Sequence, residues 1–107
     1  MTPTVPDVLD LAADIIFADG WGQGRSVGPG GEKCLVGGIG AACHRLHAQR
    51  LYNPSIDAVT AALGFEPRQQ EKAIYWNDSK KRTQDDVEDL LRNTAKDLRN
   101  TTKEHSQ

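Results

Sequence analysis

Aromatic side chains are scarce in this sequence. Two Trp, two Tyr and two Phe make up 6% of the 107 residues, so packing must rest on Leu, Ile, Val and Ala. Cysteine is scarcer still. Cys34 and Cys43 are the only two, too few for the disulfide framework of a small secreted domain. Neither sign of charge dominates: the formal net charge is −2 and the pI about 5.9. That balance supplies no basic field to draw nucleic acid or anionic lipid. No apolar run approaches the ~20 residues that span a bilayer. No basic segment followed by an apolar core marks a secretion signal. The expectation is a cytoplasmic protein with reduced thiols.

What is present describes a folded chain with a wet surface. Charged residues make up 26% and apolar residues 37%, with a mean hydropathy of −0.58. That is the composition of a globular protein and not of a disordered segment. The length fits one domain with one modest core.

Periodicity then places helices. Over Thr4–Ala18, Val8, Leu11, Ala12, Ile15 and Ile16 fall on one face, with Thr4 and Asp7 at capping-box spacing and Gly20 as the stop. Gly20–Lys33 holds six glycines and Pro29, which excludes a stable helix. It reads as a loop able to carry a short hairpin around Ser26–Gly31, with Trp21 folding back to plug the core. The stretch Glu32–Gln49 reads as the central helix, with Leu35, Ile39, Ala42, Cys43 and Leu46 inward. Its Gly37, Gly38 and Gly40 cost roughly 1 kcal/mol each in a helix, a cost that predicts close approach by a neighbouring backbone. Asn53-Pro54-Ser55 reads as a turn before a helix burying Ile56, Val59, Ala62 and Leu63. Gly64 closes that helix and Phe65 packs back on it. Pro67–Asp78 is compatible with a short helix or an extended segment. The last helix starts at Thr83, with Asp86 completing a capping box. It buries Val87, Leu90, Leu91, Thr94 and Leu98, pairs Glu88 with Arg92, and gives way to a polar tail from Thr101.

The fold class expected is therefore mostly α. It is a small single-domain bundle of four to five helices with a Gly-rich loop between the first and second. The domain spans 1–107, with an ordered core over about 5–99 and a polar tail over 100–107.

Familiar chemical signatures are weak. Cys43 and His47, at i,i+4 if the helix runs that far, are the best zinc candidates, but no CxxC or HExxH accompanies them. Cys34, near a helix N-terminus, is the better thiol nucleophile, yet apolar neighbours surround both cysteines. The glycine-rich loop lacks GxxxxGK[ST] and GxGxxG. Asn77–Glu88 carries Lys81 and Arg82 and no central glycine, unlike a calcium loop. A helix-turn-helix over Glu32–Leu63 would offer Asp57 and Thr60 but no Arg, Lys, Asn or Gln in Ile56–Leu63. No cofactor is called for.

Four local patterns remain: Trp21-x-Gln23-Gly24, Cys34-Leu35-x-Gly37, Trp76-Asn77-Asp78, and Thr83 with Val87 four residues later. In this order they resemble an uncharacterised domain family of actinobacteria and their phages. The resemblance covers roughly Val8 to Ala95. It implies such an origin and no particular activity. The family often has alanine after the CLxG glycine, where this chain has Gly38.

The function expected is a non-enzymatic accessory protein that binds another protein, of the host if the origin is a phage, whose process it could inhibit. The candidate contact residues are Trp21, Gln23, Arg25, Trp76, Asn77, Asp78, Lys80, Lys81 and Arg82. One alternative is a small-ligand module or enzyme built on the same loop and Trp-Asn-Asp region. Another is a homodimer joined through the small-sided helix.

Overall fold

A computed structural model describes residues 2–105 of the chain. It contains five α-helices: α1 (Val5–Asp19), α2 (Leu35–Arg45), α3 (Tyr52–Ala62), α4 (Gln70–Asn77) and α5 (Gln84–His105), with a 3₁₀ turn at Gln49–Leu51 before α3. The mostly helical bundle expected from periodicity is the fold observed.

Local chemistry explains the helix starts. At α1 the Asp7 carboxylate accepts from the Thr4 backbone N–H and from its hydroxyl, both at 3.0 Å. At α5 the box is reciprocal: Thr83 N–H donates to Asp86 Oδ2 at 3.1 Å and Asp86 N–H to Thr83 Oγ1 at 3.2 Å. Gly20 ends α1 at φ +94° and Gly64 follows α3 at φ +92°, both positions that side chains disfavour.

The core is shared between α1 and α2. Helix α1 packs most extensively on α5 and next on α2, so the glycine-bearing helix is not alone at the centre. Leu9, Ile15, Ile16, Leu35, Ile39, Ile56, Val59, Val87 and Leu91 are fully buried. Outside this core, Arg92 bonds the Asp10 carbonyl and the carboxylates of Asp10 and Asp14, and Arg99 holds Asp7 and Asp10. These pairs are exposed and each is worth little; together they align α5 along α1.

Several local expectations are corrected. Helix α2 starts at Leu35, since the loop's backbone bonds reach Cys34, and ends at Arg45 because His47 turns to φ +52°. Asn53 and Pro54 lie in the first turn of α3, where proline's missing N–H has no partner to lose. The buried face of α3 includes Ser55 and Thr60, while Ala62 and Phe65 are exposed. Thr60 bonds back to the Ile56 carbonyl at 2.8 Å; the Ser55 hydroxyl is buried with no partner. Glu88 accepts from Gln84 rather than pairing with Arg92, because Arg92 is drawn across to the α1 carboxylates. Pro67–Asp78 resolves into the helix α4. Helix α5 runs through Thr101 to His105, past the point where the tail was expected; residues 106 and 107 of that tail lie outside the described residues.

The glycines of α2 serve different ends. A Cβ on Gly37 would lie 1.9 Å from the Ser26 carbonyl oxygen, the oxygen that accepts from Cys34 N–H at 3.1 Å. A Cβ on Gly38 would meet the end of the Ile16 side chain at 2.8 Å, whereas one on Gly40 would only touch Tyr52 at 3.4 Å. Gly37 and Gly38 are thus covered within the chain by Ser26 and Ile16, while Gly40 is partly exposed beside Tyr52.

Two measurements test this description. Gly37→Ala should destabilise the fold by about 2 kcal/mol or more, since rigid backbone must move. Gly40→Ala should be neutral or stabilising by up to about 1 kcal/mol. Urea denaturation of both variants checks the contrast, and equal losses would overturn it. The second concerns Asp7. The Thr4 backbone bond, aided by the Thr4 hydroxyl and Arg99 against a smaller burial penalty, holds its pKa below the usual carboxylate value. A depressed acid contributes stability above its unfolded pKa of about 3.9, lost as pH falls through the lower folded value. Asp7→Asn should therefore be less stable than wild type at pH 7, with the gap closing below about pH 4 in a pH series of thermal melts.

Candidate functional site

The glycine-rich loop, the N-terminus of α2 and the C-terminus of α4 meet at one corner. Asn77 sits there, in the last turn of α4 and 1% exposed. Its Oδ1 accepts from Trp21 Nε1 at 2.8 Å and from the Leu35 backbone N–H at 3.0 Å. Its Nδ2 donates to the Gly22 carbonyl at 3.2 Å and to Asp78 Oδ1 at 3.0 Å. A carboxamide offers two donor hydrogens and an oxygen with two lone pairs, and here all are engaged.

The neighbours extend the seam. Gln23 Nε2 bridges the carbonyls of Asn77 and Ser79 at 2.9 and 2.8 Å. Asp78 Oδ1 also accepts from Gly24 N–H at 3.0 Å. Arg82 lies over the Trp76 ring, 4.0 Å from its centroid, and its Nε donates to the Trp76 carbonyl at 2.9 Å. Six of the nine sequence-derived candidates, Trp21, Gln23, Trp76, Asn77, Asp78 and Arg82, are therefore brought together. Each makes a bond or ring contact within the chain.

The other three stay outside that network. Arg25 follows Gly24, while Lys80 and Lys81 follow Ser79. All three are exposed, and none forms an ion pair among the described residues. Around the same corner Val27 is 51%, Ile74 41% and Tyr75 68% exposed. Sequence reasoning missed Val27, Ile74 and Tyr75 as surface residues. The Ala73–Trp76 run is apolar throughout, but in α4 only Ala73 and Asn77, four apart, are buried, with Trp76 partly buried against the core.

A cleft of about 130 Å³ opens between loop and helix, lined by Gly24, Arg25, Ser26, Cys34, Val36, Ile74 and Asp78. It is smaller than the ~300–1,000 Å³ of ordinary ligand sites. Cys34 reaches it as the N-cap of α2, where Sγ accepts from Gly37 N–H at 3.4 Å. Cys43 is buried elsewhere, and burial pushes its thiol pKa up, which keeps it protonated and poorly nucleophilic. His47 lies beyond the end of α2 and is exposed, so the helical spacing needed to chelate with Cys43 does not exist. Among the described residues no group of three or more His, Cys, Asp and Glu side chains is placed to hold a metal. Nor is any helix among them long and apolar enough to cross a membrane.

Comparison with known proteins finds a family. Residues 1–97 fit the model of a family described as a family of unknown function, DUF6197. No curated protein and no solved structure matches.

The hub predicts its own disruption. Asn77→Ala would strand the buried Leu35 N–H and the partly buried Trp21 indole N–H and Gly22 carbonyl, at about 1–3 kcal/mol for each buried group left unpaired. The expected loss is at least about 3 kcal/mol by chemical denaturation, with the Trp fluorescence of the native state altered. A loss under about 1 kcal/mol would show that Asn77 is not the keystone of this corner.

Proposed function

The chain belongs to DUF6197, a family of unknown function, and from the geometry of its loop–α4 corner we propose that it is a non-enzymatic accessory protein acting by binding another protein. One observation carries this reading. The polar residues at the corner that suggested chemistry are engaged in holding the fold, while apolar and cationic side chains adjoining them in the loop and after α4 are exposed, Arg25 and Ile74 lining one cleft. Val27, Ile74 and Tyr75 are the apolar members; Arg25, Lys80 and Lys81 are the cations. Isolated apolar residues on a surface are ordinary, but grouped ones rimmed by charge are the pattern of a contact site. Tyr and Arg are also the residues that most often anchor protein interfaces.

The motif resemblance to a family of actinobacteria and their phages makes a host protein the natural partner, in the cytoplasm. The ligand-site alternative is disfavoured by the cleft's size, and the dimer alternative by the cover over Gly37 and Gly38 on α2. The test is a capture experiment from an actinobacterial lysate with wild type and a Tyr75→Asp/Lys80→Glu double variant. Neither residue belongs to the Asn77 hub, so circular dichroism should be unchanged. Wild type should retain a reproducible protein that the variant loses. Capture of nothing reproducible, or equal capture by both, would overturn the reading.

A further inference from the structure

We propose that the cleft between the glycine-rich loop and α4 receives one apolar side chain from an acidic segment of a protein partner. This rests on the protein-binding reading above and gives it a recognition chemistry.

The size of the cleft sets what can enter. A cavity of about 150 Å³ holds a benzene molecule, so about 130 Å³ accommodates a leucine-sized side chain and little more. Its walls suit an apolar guest. Cys34, Val36 and Ile74 supply carbon and sulfur surface, and the bare backbone of Gly24 lets the guest approach. The one acid in the lining, Asp78, already accepts from Gly24 N–H and from Asn77 Nδ2.

Charge complementarity defines the rest of the segment. Arg25 lines the cleft itself. Lys80 and Lys81 continue from Ser79, whose carbonyl is bonded to Gln23 on the loop side. Arg25 thus lines the cleft on the loop side, and Lys80 and Lys81 follow the Gln23-bonded Ser79 beyond α4, without ion pairs among the described residues, in a chain whose net charge is −2. Carboxylates flanking the apolar anchor would meet them, steering the encounter and setting its register. Tyr75, next to Ile74 in α4, is 68% exposed and offers a stiff aromatic surface on the same helix. The hub behind the cleft fixes loop and helix before a partner arrives, which limits the ordering cost of binding.

The test is an amide-resolved NMR titration of the full chain with three end-capped synthetic peptides. They are Asp-Glu-Leu-Glu-Asp, the same peptide with central alanine, and Lys-Arg-Leu-Arg-Lys. The leucine peptide should shift the amides of Gly24, Ser26, Val36 and Ile74 saturably. The alanine peptide should bind at least about tenfold more weakly, as loss of an apolar anchor from its pocket implies, and the basic peptide should not move these amides. An Arg25→Glu/Lys80→Glu variant should keep the wild-type spectrum elsewhere and lose the response. Equal responses to all three peptides, or none at the cleft, would overturn the inference. So would concentration-dependent shifts of these amides without peptide, which would assign the cleft to a second copy of the chain. If the lysate partner still depends on Tyr75 while the peptides leave the cleft unmoved, the cleft inference fails and the protein-binding reading stands.

Discussion

The side-chain amide of Asn77 joins three pieces of chain that share no helix. Through Oδ1 it fixes the Trp21 indole and the first N–H of α2; through Nδ2 it fixes the Gly22 carbonyl and the Asp78 carboxylate. No other side chain of similar size could do this. Aspartate would keep the acceptors and lose both donors, and leucine would match the shape while stranding every partner. Because the site is buried, these bonds are electrostatically stronger than in water, and any one of them left unmade would be correspondingly costly. The glycine-rich loop, with isolated bridges of Lys33 to Trp21 and Val27 and a few backbone bonds of its own, is tied to α2 and α4 through this amide.

The glycines of the loop have causes of their own. The side chain of Glu32 folds inward across the loop. A Cβ on Gly28 would meet its Oε1 at 1.8 Å, and one on Gly22 its Cγ at 3.0 Å. Gly22, Gly28 and Gly30 thus lie against the Glu32 side chain, Gly20, Gly24 and Gly31 take positive φ, and a bound phosphate is not needed to explain them. The hairpin expected around Ser26–Gly31 survives only as those bridges and a turn in which Gly31 N–H donates to the Gly28 carbonyl at 3.0 Å.

Legibility in the sequence followed the range of the interaction. Helices α1 and α5 were readable because their caps lie three residues apart and their apolar faces recur every three or four residues. The helix over Gln70–Asn77 was not, because its most apolar residues, Ile74 and Tyr75, point outward and its inward residues are alanine and asparagine. On α3, buried Ser55 and Thr60 displaced the expected Ala62: polarity misreports burial at Thr60, whose hydroxyl bonds to its own helix, and at Ser55, which is buried without a partner. The partners of Arg92 lie 78 and 82 residues away, beyond any local rule. The hub was half legible. Trp21, Gln23, Asn77 and Asp78 stood out as unusual residues, but nothing in a spacing of 54 to 56 residues said that they bond to one another.

Their bonding changes what the motif pattern means. Trp21-x-Gln23-Gly24, Cys34-Leu35-x-Gly37, Trp76-Asn77-Asp78 and Thr83 with Val87 are the parts of one structural joint and its two adjoining helix starts. Cys34 caps α2, Gly37 admits the Ser26 carbonyl, Thr83 caps α5 and Val87 is buried behind it. A chain that carries these motifs needs them to fold this corner, whatever it binds. Under the protein-binding proposal, specificity falls to exposed positions outside the joint, which here are Arg25, Val27, Ile74, Tyr75, Lys80 and Lys81. A fixed scaffold presenting variable exposed positions is how one fold serves different partners. On that logic, relatives that share the joint should share the architecture and differ in charge and apolarity at these six positions according to what each of them meets.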